Sequence, residues 1–447
     1  TMIAGKPSCR RESKIMNHYR VHPFQFGRQF LLPTLLTFGI LSLAACGSGS
    51  DSGAEAEARV ASEQAEAALP PAVESTASAA LQNLMKTVED TQEKFVSPQM
   101  GVTDAYTAGE ANRLIAHMLQ TGLQFWLEAN PSRPEFKRYV TTNRKLLGDN
   151  PDSLYYFAAI DDDQTYIIRG NIGAAVFTSF TVEGGSQNGK AATRSISALG
   201  DHNMEIAPDG SYEITVSRKN LKRGNWLKLE EGAGQITTRH YHEARLSIAA
   251  NPNAQMDISI ETVDPEPLEP YGGDEEVAAK LNQVANFIAG HAPMGMTPTS
   301  PAMAEAFGWI SLEPNVIAKP GQFISAGKQA YANTHAYYSS GPYQLADDEA
   351  LVIEGRFPAA RFANVVLWNR YMQTYDFTQR QVSLNRQQIN YEDDGSFKLV
   401  VAHRDPDLPN WLDTEGRTSG QIYWRWVFPQ THPEAPVAKV VKFKDLK

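Results

Sequence analysis

Cysteine is almost absent from this chain of 447 residues, with only Cys9 and Cys46 present. A disulfide framework, a Cys-ligated zinc site and a Cys nucleophile are therefore excluded beyond residue 46. An excess of positive charge is also absent. The chain has 41 Lys and Arg against 51 Asp and Glu, a formal charge of −10. Nucleic-acid binding depends on neutralising phosphates, so we expect no nucleic-acid partner.

Common catalytic motifs are missing as well. The sequence has no Gly-x-Ser-x-Gly, His-Glu-x-x-His or P-loop pattern, which removes several enzyme classes and leaves no motif that implies a cofactor. The composition, with 42% hydrophobic and 21% charged residues, is that of a folded globular protein. The length suffices for two ordinary hydrophobic cores.

The N-terminal region has the pattern of an exported protein. Arg20 and Arg28 precede the apolar run Phe30–Leu43, and Leu-Ala-Ala-Cys46 follows it. The run contains a proline and a glycine and is short of the roughly 20 residues that a spanning helix needs. We expect residues 1–45 to be a leader, with an uncleaved anchor helix as the alternative.

The segment Leu43-Ala-Ala-Cys46 resembles a bacterial lipobox, which implies a lipid on Cys46 and attachment to a membrane. The first 45 residues hold six basic residues and one acidic residue, so the remainder is close to −15. Residues 46–75 are rich in Gly, Ser, Ala and Glu, which predicts a disordered tether. We therefore expect a location in the bacterial cell envelope, at the outer membrane or periplasmic face rather than in the cytoplasm.

Residues 76–147 have the periodicity of helices. One helix is predicted over Thr76–Phe95, and a second begins at a capping box formed by Thr107 and Glu110 and stops at Asn130-Pro131. A further helix is predicted from Gly272 to Gly290, in the connection that covers residues 266–345.

The chain also contains an internal duplication, because residues 162–239 match residues 347–425. Two matched residues are separated by 185 positions over most of this length and by 186 near its end. The pairs are Asp162/Asp347, Ile168/Ile353, Gly170/Gly355, Phe177/Phe362, Asp209/Asp394, Asn225/Asn410, Trp226/Trp411, Gln235/Gln421 and Arg239/Arg425. A constant spacing over so many positions indicates two copies of one unit.

Within each copy, short segments rich in β-branched and aromatic residues alternate with turn signals. The strands predicted in this way are Ala175–Val182, Tyr212–Arg218, Ile236–Leu246, Phe362–Trp368, Phe397–His403 and Gln421–Phe428. We predict a mainly β protein with helices (α+β), in which two tandem antiparallel β-sandwiches cover residues 148–265 and 346–447 and each is preceded by helix.

Several segments resemble bacterial proteins that carry the domain of unknown function 1214. In the first copy they are Asn150–Tyr156, Tyr166–Gly170, Asp209–Ser211, Asn225–Leu227 and Arg239–Tyr241, and in the second they are Glu349–Gly355, Leu367–Arg370, Ser383–Asn385 and Asn410–Thr414. The resemblance implies a jelly-roll-like sandwich and no established activity, so it supplies no catalytic residues.

Four duplicated residues are candidates for ligand binding. Trp226 and Trp411 could stack on a sugar ring or flat apolar ligand, or could instead plug the end of a sandwich. Arg239 and Arg425 lie in predicted strands next to aromatic residues, where they could bind a carboxylate or pair with a structural acid.

Two further candidates belong to one copy only. His240 and His242 would share a strand face and form a weak candidate metal pair, although no carboxylate completes it. The segment Leu367–Tyr371, with Trp368, Arg370 and Tyr371, could line a wall of a pocket. It has no close match in the first copy, where Thr181–Gly185 stands at a spacing of 186.

These patterns favour a lipid-anchored envelope protein, more readily non-enzymatic than enzymatic, that binds a small apolar or glycan ligand or an envelope partner. Two alternatives stay open. One is an envelope hydrolase or lyase that uses His240 and His242 or the region Trp368–Tyr371. The other is an interaction protein without a ligand.

Overall fold

The computed structural model describes residues 73–222, 224–265, 267, 270, 272–323 and 329–446. The predicted leader, the lipidation residue Cys46 and nearly all of the predicted tether lie outside the described residues. Within the described ranges no helix combines the length and hydrophobicity needed to cross a bilayer.

The helices are α1 (Thr76–Phe95), α2 (Ala105–Gly122), α3 (Gly273–Met296) and α4 (Pro301–Phe307). The predicted start of α2 was wrong. Asp104 is the N-cap residue, and its carboxylate accepts the Thr107 backbone N–H at 2.8 Å and the Thr107 hydroxyl at 2.8 Å. Asp104 therefore caps the helix three residues before Thr107, the predicted cap. The Thr107 hydroxyl donates a hydrogen bond to Asp104, because the Asp104 carboxylate is the stronger acceptor.

The predicted end of α3 at Gly290 was also wrong, because the helix continues past Pro293 to Met296. A Cβ atom on Gly290 would lie 2.9 Å from the backbone nitrogen of Ala191. Gly290 thus allows the first sandwich to approach the helix closely, and it does not terminate the helix.

Helices α1, α2 and α3 form a layer whose apolar core also includes Phe157 of the first sandwich. The Asp274 carboxylate at the start of α3 accepts hydrogen bonds from Ser75, Thr76 and Ala77 at the start of α1. It thereby satisfies backbone donors that the first turn of α1 leaves open.

Strands make up most of the remaining structure. In the first half they are β1 (Lys137–Arg138), β2 (Ser153–Ala159), β3 (Tyr166–Asn171), β4 (Phe177–Gly184), β5 (Arg194–Gly200), β6 (Ser211–Ser217), β7 (Asn225–Lys228), β8 (Ala233–Tyr241) and β9 (Ile258–Thr262). In the second half they are β10 (Ala336–Gln344), β11 (Glu349–Gly355), β12 (Phe362–Trp368), β13 (Ser383–Asn385), β14 (Phe397–Ala402), β15 (Trp411–Asp413), β16 (Ser419–Val427) and β17 (Val437–Lys442).

The two halves have the same topology. The first half forms sheets with the strand orders β1-β2-β8-β4-β5 and β7-β6-β3-β9, and the second half forms β10-β16-β12-β13 and β15-β14-β11-β17. Strands β2 to β9 correspond one by one, in chain order, to strands β10 to β17, and the two halves have the same strand order. Strand β1 has no counterpart among the named strands of the second half. Neighbouring strands are antiparallel except β6/β7 and β14/β15, which are equivalent parallel pairs. The predicted fold of two related sandwiches with helices is confirmed.

Strand β10 belongs to the second sandwich and begins at Ala336, before the predicted boundary at residue 346. It contains Gly341 and Pro342, which are residues that disfavour a strand assignment from sequence. Pro342 is tolerated because β10 is an edge strand of its sheet. In the same way, β1 lies within the segment predicted to be helical but pairs with β2.

Each sandwich has its own apolar core between its two sheets. A separate cluster joins the sandwiches, in which Phe177 and Tyr241 of the first contact Phe362 and other apolar residues of the second. These residues lie on β4, β8 and β12, so the two halves present equivalent sheets to each other. We call this contact the inter-copy interface.

A buried carboxylate connects the two halves at this interface. Asp152 is fully buried just before β2. Its carboxylate accepts hydrogen bonds from Asn364 at 2.9 Å and from Asn385 at 3.0 Å, both in the second sandwich, and from Ser247 at 2.8 Å. Asn364 also donates to Asn150 at 2.8 Å. The network fixes the register between the copies, because a buried donor or acceptor left without a partner is costly.

We expect Asp152→Ala to lower the free energy of unfolding by about 2–3 kcal/mol, because Ser247, Asn364 and Asn385 would lose a buried acceptor. Denaturant unfolding monitored by circular dichroism measures the change. Asp393→Ala, at an exposed position, is the matched control and should leave stability within about 0.5 kcal/mol of the wild type. Equal stability of the two variants would show that Asp152 does not hold the copies together.

Candidate functional site

Arg239 and Arg425 occupy equivalent positions in the two sandwiches. Arg239 on β8 lies directly across from Tyr155 on β2. Arg425 on β16 lies directly across from Tyr338 on β10. The duplication thus repeated a pair of residues that are distant in sequence and are brought together only by strand pairing.

Both pairs meet at the inter-copy interface. Burial raises the pKa of Tyr155, whereas the positive charges of Arg425 and Arg239 both act to lower it. Burial also raises the pKa of Tyr338, and the same two guanidinium groups oppose that shift. The charges of both arginines therefore act on each of the two tyrosines. We call Arg239, Arg425, Tyr155, Tyr241, Tyr338 and Tyr423 the arginine–tyrosine cluster.

Arg239 is held by the chain around it. Its Nη2 donates to the carbonyl oxygen of Tyr331 at 2.6 Å. The backbone N–H of Tyr331 in turn donates to Glu183 at 3.2 Å. Glu183 is fully buried, and burial raises the pKa of its carboxyl group while the charge of Arg239 opposes the shift. The Glu183 carboxylate is therefore linked to Arg239 through the backbone groups of Tyr331.

Arg425 has fewer partners although it is only 4% exposed. Its Nη2 donates to the carbonyl oxygen of Gly148 at 2.9 Å, whereas Nη1 is buried without a hydrogen-bond partner. The guanidinium carbon lies 5.1 Å from the ring centroid of Trp368 and 4.6 Å from that of Tyr423. These are cation–π distances, so aromatic rings cover Arg425 while part of its donor fork stays open.

Gly148 is required for this arrangement. Its φ of +82° is in the left-handed region, and a Cβ atom would lie 3.0 Å from the Trp368 ring. A larger residue would push Trp368 away from Arg425.

The phenols of the cluster supply further polar atoms. Burial raises the pKa of Tyr423, as it does for Tyr155 and Tyr338, so these phenols stay protonated at neutral pH. Within the described residues the hydroxyl groups of Tyr241, Tyr338 and Tyr423 make no hydrogen bond. Tyr155 and Arg239 also keep part of their surface exposed. The cluster can therefore offer hydrogen bonds to a bound molecule.

The structure places Trp226 and Trp411 away from this cluster, in equivalent structural positions. The indole N–H of Trp226 donates to the Ser217 carbonyl at 3.2 Å, and that of Trp411 donates to the Ala402 carbonyl at 3.1 Å. Both residues fix the parallel strand of the outer sheet, β7 or β15. The preceding Asn225 and Asn410 repeat the same three hydrogen bonds to backbone groups.

The predicted wall formed by Trp368, Arg370 and Tyr371 is not assembled. Trp368 ends β12 at the inter-copy interface. Arg370 instead donates to the carbonyl oxygens of Gly101 and Met100, both at 2.6 Å, next to the helix layer. Tyr371 is part of the apolar core of that layer. Strand β12 ends at Trp368, so Arg370 and Tyr371 lie outside the strand.

His240 and His242 are both buried. The ring nitrogens of His240 lie 3.2 Å from the Thr178 hydroxyl and 2.9 Å from the Thr238 hydroxyl. Burial lowers the pKa of His240 to about 3, with a smaller contribution from His242. Among the described residues no group of three or more His, Cys, Asp or Glu side chains is placed to hold a metal ion. His240 acts as a neutral hydrogen-bonding residue in the first sandwich.

An open groove on the outer side of the first sandwich is a weaker candidate. It is lined by Arg169, Glu213, Asp209 and neighbouring residues. Arg169, the one cation among the described residues that line the groove, is already paired with Glu213 and Glu261.

Sequence reasoning missed Glu183, Tyr155 and Tyr338, whereas Tyr241 and Tyr423 are the aromatic residues expected next to the two arginines. One signal was present in the sequence. Phe177 and Phe362 are 185 positions apart, and the same spacing aligns Glu183 with Trp368. Strand registers agree, since Glu183 pairs with Gln235 and Trp368 pairs with Gln421. The alignment of Leu367–Tyr371 with Thr181–Gly185, at a spacing of 186, was therefore wrong by one residue. The correct spacing between β4 and β12 is 185.

The neutral state of His240 predicts a pH dependence. The unfolded chain binds a proton at this residue below about pH 6.5, whereas the folded chain does so only near pH 3. Its contribution to stability is thus present above pH 6.5 and is lost as the pH falls. The slope of the unfolding free energy against pH reports the number of protons taken up on unfolding. Between about pH 6.5 and 4, we expect His240→Gln to lower this number by about one per chain.

Urea unfolding at a series of pH values measures this slope. The control is His432→Gln, at an exposed position, which should retain the wild-type slope. An unchanged slope in the His240 variant would contradict the predicted burial of a neutral imidazole.

Comparisons with known proteins agree with the duplicated fold. A protein of unknown function from Burkholderia cenocepacia, with a solved crystal structure, is 25% identical over 82% of this chain and 98% of its own, with a TM-score of 0.70. The VPA0106 protein from Vibrio parahaemolyticus is 11% identical over 80% of this chain and 100% of its own, with a TM-score of 0.44. No curated protein matches the chain significantly. The model of the family "Protein of unknown function (DUF1214)" matches residues 157–245 and 329–431, one region in each sandwich.

Proposed function

We propose that this protein is an exported, lipid-anchored protein of the bacterial cell envelope that binds a small ligand between its two sandwiches. The binding site is the arginine–tyrosine cluster. The tether from Cys46 would hold the folded region near the membrane surface.

One observation carries the assignment of the binding site. Arg425 is buried at the inter-copy interface with an Nη1 that lacks a hydrogen-bond partner. A buried donor that lacks a hydrogen-bond partner costs about 1–3 kcal/mol, and a charged donor costs more. Sites that retain such a cost are commonly functional. The phenols around Arg425 add hydrogen-bonding groups and aromatic surface, which is the usual composition of a small-molecule site.

Export and lipid attachment are supported by the sequence. The order of basic residues, apolar run and Leu-Ala-Ala-Cys46 is that of a lipoprotein leader. The acidic remainder of the chain disfavours binding to anionic phospholipid head groups through charge alone. A covalent lipid would therefore be the means of membrane attachment.

We expect at least one compound from a set of aromatic, glycan and carboxylate molecules to raise the melting temperature of the purified protein in a concentration-dependent manner. Tyr338→Phe and Tyr423→Phe should each weaken that binding about 5-fold to 10-fold, because each removes one hydrogen bond. Tyr391→Phe, at a position that is 42% exposed, is the control. A shift that is the same in all three variants would place the binding site elsewhere, and no shift with any compound would argue against ligand binding.

We expect Cys46→Ala to move the exported protein from the membrane fraction to the soluble fraction, because the variant lacks the sulfur that would carry the lipid. Fractionation of cells with immunoblotting measures the distribution, and Ser48→Ala is the matched control that should stay membrane-bound. Retention of Cys46→Ala in the membrane fraction would rule out the lipid tether.

A further inference from the structure

The two copies differ in charge at one equivalent position. Glu183 on β4 and Trp368 on β12 stand at the same register in their sheets. The first copy therefore has a carboxylate where the second has an indole, although both copies keep the arginine. We propose that this difference makes Arg425 the binding residue for the carboxylate of a monoanionic ligand with a flat apolar body. The inference rests on the proposed function and specifies the ligand of that site.

Arg239 is not proposed to bind the ligand carboxylate, because Glu183 is already linked to it. Glu183 and Arg239 are linked through the peptide of Tyr331, with hydrogen bonds of 3.2 Å and 2.6 Å. Glu183 also accepts hydrogen bonds from Ser195 at 3.0 Å and from Thr237 at 3.2 Å, which stabilise its ionised form. The charge of Arg239 is thus balanced within the first copy.

Arg425 has no comparable partner. It forms no ion pair within the described residues, and the position of the balancing acid is taken by Trp368, whose ring stacks on the guanidinium. Asp149 lies nearby, but its carboxylate accepts the backbone N–H of Thr374 at 2.9 Å and the Thr374 hydroxyl.

The charge of Lys145 also acts on Asp149. The Lys145 ammonium donates to the Thr374 carbonyl at 3.1 Å. The charge of Arg425 also acts on Asp149, but less than that of Lys145 does, and Arg425 forms no ion pair with this carboxylate.

A buried cation that forms no ion pair is costly, and a ligand carboxylate would lower that cost. Guanidinium groups bind carboxylates by two parallel hydrogen bonds, and the free Nη1 of Arg425 is one half of such a fork. A second negative charge on the ligand would find no further unbalanced cation in the cluster. A monoanion is therefore favoured over a dianion.

The surroundings of Arg425 indicate the rest of the ligand. The rings of Trp368 and Tyr423 lie 4.2 Å apart between centroids, and those of Tyr338 and Tyr423 lie 5.6 Å apart. Tyr338 is 5% and Tyr423 is 9% exposed. A carboxylate at Arg425 would place its attached group against these aromatic rings, where a flat apolar body packs well.

The inference is tested with benzoate, its neutral analogue benzamide and the dianion isophthalate, each titrated into the purified full mature protein by calorimetry. We expect benzoate to bind at least 10-fold more tightly than both of the others. Arg425→Lys should weaken benzoate binding at least 10-fold, because lysine has no fork. The exposed control Arg356→Lys should bind benzoate like the wild type.

A second variant keeps the test decisive if Arg425→Lys does not fold. Glu183→Gln removes the carboxylate that balances Arg239 while preserving the size of the side chain. We expect this variant to bind isophthalate at least 5-fold more tightly than the wild type does, because a second cation becomes available. An unchanged affinity would contradict the charge assignment.

Other outcomes separate this inference from the proposed function. Benzamide binding as tightly as benzoate would overturn anion recognition and leave ligand binding intact. Failure of all three probes, together with a neutral compound that stabilises the protein through Tyr338 and Tyr423, would do the same. Failure of the probes and of every compound in the wider set would overturn the proposed function itself.

Discussion

The two sandwiches are held in one relative position by the contact between their equivalent sheets. It combines an apolar cluster around Tyr241 and Phe362 with the buried carboxylate of Asp152, which accepts hydrogen bonds from two asparagines of the other half. Apolar packing alone tolerates small displacements, whereas buried hydrogen bonds to a carboxylate require one geometry. The arginine–tyrosine cluster is formed by the same faces, so its geometry is fixed by this contact.

Duplication explains why two arginines meet at this interface. When a unit packs against its own copy through equivalent sheets, each residue on that sheet is presented twice. Two guanidinium groups near one another, one of them buried, would be unfavourable without nearby negative charge. The first copy places Glu183 near Arg239, whereas the second has Trp368 at the equivalent position and gives Arg425 no ion pair. The surroundings of the two arginines thus differ by one residue on one strand, and this difference is the basis of the binding role that we propose for Arg425.

Sequence patterns predicted the sandwiches because alternation and turn signals act locally. Strand β12 was predicted with its observed bounds, Phe362–Trp368. Strand β10 was missed because Gly341 and Pro342 are acceptable only at a sheet edge, which is a property of the assembled sheet. Errors at helix ends had a similar origin, since Gly290 lies inside α3 and is explained by the close approach of Ala191.

The duplication, the two β-rich units and the equivalence of Arg239 and Arg425 could be read from the amino-acid sequence, because repeated residues and periodicity are visible along the chain. The residues that surround those arginines became known from the folded structure. Tyr155 reaches Arg239 through strand pairing, and Tyr338 reaches Arg425 in the same way. Tertiary structure also separated Trp368 from Arg370, two residues apart in sequence, because a strand ends between them. Burial and counter-charges depend on neighbours in space, and sequence spacing does not specify these.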